Sequence, residues 1–163
     1  KVRLNVWLRP ALFFKEESEY YKNRLQKNSI DFTIFLEDDF SISINRGKIV
    51  QIIDNLISNS EYWLIKLKGN DPNCKPSITI KIESPWIYFY DNGYGISPAI
   101  ENMLFEPFVT TKPKGEGRGL GLFIIQQLLD SSKCTIALEP FRNEHGRKYI
   151  FAINFSNIIN EYK

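Results

Sequence analysis

At 163 residues, with 43% hydrophobic and 25% charged residues, the chain is long enough for one domain with a sizeable core. Its net charge of +2 gives no argument for nucleic-acid or membrane binding, and no apolar run approaches the ~20 residues that a membrane helix requires. The two cysteines, Cys74 and Cys134, suit a reduced compartment.

Taken in order, residues 11–28 read as an amphipathic helix with Leu12, Phe13, Tyr20 or Tyr21, and Leu25 on one side. Asn28 to Asp31 has turn residues, and extended runs follow at Phe32–Leu36 and Ser41–Ile44. With the acidic turn Glu37-Asp38-Asp39 between them, the pair reads as a hairpin. Asn45 is the expected N-cap of a long helix over about 46–68. Its apolar residues (Ile49, Ile52, Ile53, Leu56, Ile57, Trp63, Leu64, Leu67) cover a wide face. Among them Asn55 and Asn59 stand one turn apart on one side of the helix. Taken alone, they read as a pair of satisfied amides at a helix edge rather than as a site.

Residues 69–76 form a loop by composition. Ser77–Ser84 alternates, with Ile78, Ile80 and Ile82 inward, and Trp86–Tyr90 is the next strand, ending on Asp91. Ser97 and Pro98 are expected to start a short helix over 99–103. Residues 105–118 carry two prolines, several glycines and no apolar period, so they read as a long loop, often a lid. A helix over 119–132 and strands at 134–138 and 149–155 complete the chain. The only methionine is Met103 and the chain starts at Lys1, so it reads as a piece of a longer protein.

Six of the nine glycines lie between Gly93 and Gly121, in two clusters. The second cluster leads into a helix, and free N–H groups at a helix N-terminus suit phosphate. Neither G-x-x-x-x-G-K-[ST] nor G-x-G-x-x-G is present, so a different phosphate-binding design is needed. The alternating order of helices and hairpins predicts an α+β two-layer sandwich, with a mixed, mostly antiparallel sheet and helices on one face.

Four blocks then match in order. Gln51 to Ser60 (QIIDNLISNS), Asp91 to Ile96 (DNGYGI), Phe105 to Phe108 (FEPF) and Gly117 to Leu122 (GRGLGL) resemble the N box, first glycine box, F box and second glycine box of the GHKL superfamily. That superfamily joins sensor histidine kinases with gyrase-type, chaperone and mismatch-repair ATPases, and the closest likeness is to the histidine kinase catalytic domain. The resemblance implies the Bergerat fold across a single ATP-binding domain, 1–163, with a flexible lid at about 105–118. It implies ATP and Mg²⁺ as ligands. Asp91 would accept from the adenine amino group, although without the other blocks it reads as a turn former before Asn-Gly. Gly93 and Gly95 would let the backbone pass the base and ribose, and Asn59 would offer an oxygen to Mg²⁺. Gly117, Gly119 and Gly121 would cradle phosphates, and Lys112 would either reach the terminal phosphate or stay solvated. Tyr62, Ile96, Thr110, Thr111, Arg118, Leu120 and Leu122 are assigned to the same nucleotide site.

Asn55 and Lys112 are the expected catalytic residues. Hydrolases of the superfamily carry Glu at the position of Asn55. An amide is no general base, which leans the reading towards kinase. Two positions depart from the kinase pattern: Tyr62 stands where Lys or Arg is usual, and Arg118 replaces a Thr or Ser. The sole histidine, His145, falls in an expected hairpin turn and is not read as a phosphoacceptor. The expected partners are a phosphoacceptor and dimerisation domain outside the chain and a response regulator. The expected location is cytoplasmic, either free or as the cytosolic part of a membrane-bound sensor. The competing readings are an ATP-driven conformational clamp and a non-catalytic nucleotide-binding module.

Overall fold

The computed structural model describes residues 4–160, so the first and last three residues of the expected domain lie outside the described residues. Three helices, α1 (Pro10–Gln26), α2 (Arg46–Asn70) and α3 (Gly121–Asp130), pack on one face of a five-stranded sheet. The sheet runs β2 (Asp31–Asp38), β4 (Ser77–Glu83), β5 (Trp86–Asp91), β7 (Ile150–Asn154), β6 (Thr135–Leu138). β2 and β4 are parallel and every other pairing is antiparallel. Parallel neighbours need a long crossover, and α2 supplies it. A separate two-stranded ribbon joins β1 (Val6–Leu8) to β3 (Ile42–Ile44). Among the described residues no helix is long and apolar enough to cross a membrane.

The core forms where two periodicities meet. On β4, Ile78, Ile80 and Ile82 point to the helices and are 0% exposed, as the period of two requires. Against them α2 lays Ile49, Ile52, Ile53, Leu56, Ile57 and Leu64, all buried. Asn45 caps this helix as expected, its side chain accepting from the Gly47 N–H at 2.9 Å.

Several expectations need correction. Residues 32–44 do not form a hairpin: β2 pairs with β4, and β3 pairs with β1, a strand that periodicity did not reveal. The acidic turn serves another purpose. Asp39 accepts from Arg9 Nε at 3.0 Å and from the Ala11 N–H at 3.1 Å, capping the start of α1. Phe40 then turns into the core beside Phe155. On α1 the buried residues are Pro10, Phe13, Phe14, Tyr21 and Leu25, while Leu12 (53% exposed) and Tyr20 lie off that stripe. The Tyr21 hydroxyl donates to Asp54 at 3.0 Å, which fixes the choice between the two tyrosines.

The short helix is a single 3₁₀ turn, Glu101–Met103, within a run of three-residue bonds such as Ile100 N–H to Ser97 O and Met103 N–H to Ile100 O. α3 begins at Gly121 rather than residue 119, because Gly119 has φ +70°, outside the right-handed helical region.

Candidate nucleotide site

The C-terminal end of β5, one side of α2 and the N-terminus of α3 line a cavity of about 320 Å³, partly covered by residues 109–112 and 117–118. Asn55 and Asn59 line it from α2, and Asp91 lines it from β5. Gly95 and Ile96 follow, then Thr110, Thr111, Lys112, Gly117 and Arg118 from the covering segment, and Gly119 to Leu122 at the start of α3. Of the residues assigned to the nucleotide site, only Tyr62 and Gly93 are not in its wall.

Gly93 stands behind Asp91, its N–H donating to Oδ1 at 2.9 Å, and Ser60 donates to Oδ2 at 2.5 Å. Burial raises the Asp91 carboxyl above its ordinary pKa, and these two bonds oppose the rise. A carboxylate oriented by two donors keeps lone pairs free for a ligand amine. Gly95 sits at φ +86°, and a side chain there would meet Arg147 and Asn143. Asn143 holds this turn by donating to the Tyr94 carbonyl at 3.0 Å, so the loop containing His145 braces the first glycine box. His145 itself lies in that turn, against Tyr94.

Asn55 Nδ2 is buried without a hydrogen-bond partner. An orphaned buried amide is uncommon and costly, and this one lies in the cavity wall, where a ligand oxygen would satisfy it. At the other wall, Leu120 caps α3 without a side-chain bond, which leaves first-turn N–H groups for an anion. Gly121 has nothing within 4 Å of where a Cβ would stand, so the space beside the helix terminus is open. The donor set fits a nucleotide: one acceptor deep in the cavity, N–H groups and a cation at its mouth.

The covering segment is attached at its ends. Phe105 packs edge-on to Phe151, and Phe108 N–H bonds Gly119 O at 2.9 Å. At the mouth the Tyr62 hydroxyl donates to Glu116, and Lys112 Nζ lies 4.4 Å from the centre of the Tyr62 ring. Sequence reasoning missed Ser60, Trp63, Arg147 and Tyr149, which also line the cavity. Ser60 had a signal: it is a buried polar residue on the stripe Leu56–Ser60–Leu64. The others depend on long-range packing that no local pattern reports.

The family described as histidine kinase-, DNA gyrase B-, and HSP90-like ATPase matches residues 44–157. The chain is 34% identical over 88 residues to the two-component sensor PprA of Pseudomonas aeruginosa, covering 50% of this chain and 9% of that protein. It is 28% identical over 139 residues to the sensor protein kinase PilS of the same organism, covering 84% of this chain and 25% of PilS. The chain thus spans a quarter or less of the length of these relatives. In structure it resembles the nucleotide-free catalytic domain of histidine kinase ThkA, with a TM-score of 0.69, 23% identity, and coverage of 93% of this chain and 95% of that one. ThkA has also been solved in complex with the response regulator protein TrrA. At this identity the structural likeness speaks for the fold.

Proposed function

The chain belongs to the family of histidine kinase-, DNA gyrase B-, and HSP90-like ATPases, and on that premise we propose that it is the catalytic domain of a histidine kinase. It binds Mg·ATP in the cavity between α2, β5 and α3 and donates the γ-phosphoryl group to a histidine on a separate domain. Asp91 accepts from the adenine amino group, a choice that disfavours guanine, which presents a carbonyl at that position. Asn59 would offer its amide oxygen to Mg²⁺, a hard cation that takes oxygen ligands. Gly121 leaves room for phosphates at the α3 N-terminus, Gly117 and Gly119 let the covering segment pack beside it, and Lys112 meets the phosphates from that segment. When bound, the nucleotide supplies the transferable phosphoryl group and the metal neutralises its charge; the chain's own residues orient and desolvate it.

The observation that carries the kinase reading is Asn55, half-buried in the cavity wall, whose Nδ2 is buried and unpartnered. Its amide can donate to a phosphate oxygen or hold a water, but it cannot take up a proton at neutral pH. That supports transfer to an incoming nucleophile over activation of water. The proposed partners are the phosphoacceptor and dimerisation domain and, downstream, a response regulator.

The test is to mix the domain with Mg²⁺, ATP labelled at the γ-phosphate, and the histidine-bearing hairpin of its full-length protein. Acid-labile, base-stable label on the hairpin is expected. Release of phosphate to water with no label on the hairpin would favour a clamp ATPase. Nucleotide binding with neither outcome would make the domain a non-catalytic module.

A further inference from the structure

Glu116, in the segment that covers the cavity, is the meeting point of two donors from α2, Tyr62 and Lys66, with the Lys112 charge nearby. The Tyr62 hydroxyl donates to its carboxylate, Lys66 Nζ lies 3.6 Å from Oε2, and the Lys112 charge acts on it from the same segment. The two ammonium groups also flank one ring, Lys112 at 4.4 Å and Lys66 at 5.5 Å from the centre of Tyr62. Tyr62 and Lys66 follow Asn59 at successive turns of the same side of α2. Lys112, Gly117 and Asn59 line the adjoining cavity, so this cluster stands at its rim. A side chain at Gly117 would strike the Lys112 stem, so the glycine lets the lysine fold back over Tyr62. The electrostatics agree: the Tyr62 bond and the lysines hold the Glu116 carboxyl below its ordinary range. Burial pushes Lys112 down, against the pull of Glu116.

Lys66 and the Tyr62 phenol on one carboxylate, with Lys112 over the same ring, make a seat with more positive charge than its occupant neutralises. A phosphoryl group, with more charge and three oxygens, fits that seat better. We propose that Tyr62, Lys66 and Lys112 form the seat of the nucleotide's terminal phosphoryl group, and that Glu116 fills it as an internal anion in the empty protein. Lys66 then supplies, one turn further along α2, the helix cation that the kinase pattern places at position 62. Glu116 is a built-in competitor that the terminal phosphoryl group displaces and that a nucleoside diphosphate leaves in place. This inference rests on the nucleotide reading of the cavity.

Calorimetric titration with Mg·ATP and Mg·ADP tests it on wild type, Lys66→Met, Lys66→Arg and Glu116→Gln. Lys66 and Glu116 are both about half exposed, so these variants retain the fold. Lys66→Met is expected to weaken ATP binding about tenfold, the scale of one lost charged contact, while ADP binding stays within about twofold. Lys66→Arg should restore ATP binding, and Glu116→Gln should strengthen ATP several-fold without moving ADP. Equal weakening of ATP and ADP by Lys66→Met, or unchanged ATP binding by either Lys66→Met or Glu116→Gln, would overturn the seat while leaving the nucleotide site standing. A wild-type protein that binds neither nucleotide would overturn the nucleotide reading, and the seat with it.

Discussion

Ser60, on the buried face of α2, donates its hydroxyl to Oδ2 of Asp91 at the end of β5, 2.5 Å away. One bond thus ties the helix bearing Asn55 and Asn59 to the strand bearing the carboxylate assigned to adenine. Burial has raised the Asp91 pKa above its unfolded value, so ionised Asp91 costs the fold stability. That cost is absent below the unfolded pKa of ~4 and sets in as pH rises through the folded value. Ser60 opposes the shift. Ser60→Ala should therefore destabilise the protein by about 1–3 kcal/mol at pH 7, and the gap to wild type should narrow on acidification. Urea unfolding at pH 7 and near pH ~4 measures both; a gap that widens in acid would contradict this role.

Gly119 and Gly121 should fail in different ways. At Gly119, φ is +70° and a Cβ would stand 2.5 Å from the Phe108 carbonyl carbon. Gly119→Ala is expected to lose about 1–3 kcal/mol from backbone strain alone, and melting temperature reports it. At Gly121 nothing lies within 4 Å of a Cβ. Gly121→Ala should keep its melting temperature, since Ala is preferred to Gly in a helix by only about 0.5–1 kcal/mol. It should bind nucleotide more weakly, because its methyl group enters the space beside the helix terminus. Wild-type affinity in Gly121→Ala would show that the ligand lies elsewhere.

Residues 109–118 make few backbone bonds: Glu116 N–H to Pro113 O, and Lys112 N–H to the Thr110 side chain. Surface side-chain contacts hold the rest. Amide hydrogens here should exchange quickly in the empty protein and slow down with a non-hydrolysable ATP analogue. Strong protection without nucleotide would identify a fixed structural loop.

Asn55 and Asn59 share a face of α2 but carry different assignments. Asn59→Ala should lose most Mg²⁺-dependent affinity for ATP while magnesium-free binding changes little. Asn55→Ala should bind ATP almost as well as wild type, and wild-type turnover in the absence of a phosphoacceptor should be slow. Brisk hydrolysis that Asn55→Ala abolishes would point to the clamp ATPase. Binding and phosphate-release assays read the two cases apart.

The sequence carried the parts of this design that are local. The alternation of β4, the Asn45 cap and the glycine clusters all follow from residue type and spacing, and three of the four blocks supply just over half of the cavity wall. What stayed hidden were partners distant along the chain. Asp39 looked like a hairpin turn, but its carboxylate caps a helix that begins nearly 30 residues earlier. The isoleucines of β4 announced a buried strand without saying that β2 lies parallel to it. Ser60 was visible as a polar residue on an apolar stripe, but nothing nearby named Asp91 as its acceptor. The departure at Tyr62 was legible, whereas its contacts with Lys66 and Glu116 depend on where the covering segment comes to rest.

The central claim is that this cavity takes an adenine nucleotide through Asp91. Calorimetric titration of wild type and Asp91→Ala with Mg·ATP and Mg·GTP tests it most directly. The account predicts that wild type binds ATP in preference to GTP and that Asp91→Ala loses ATP binding. Equal ATP affinity in the two proteins, or no preference for ATP over GTP in wild type, would contradict it.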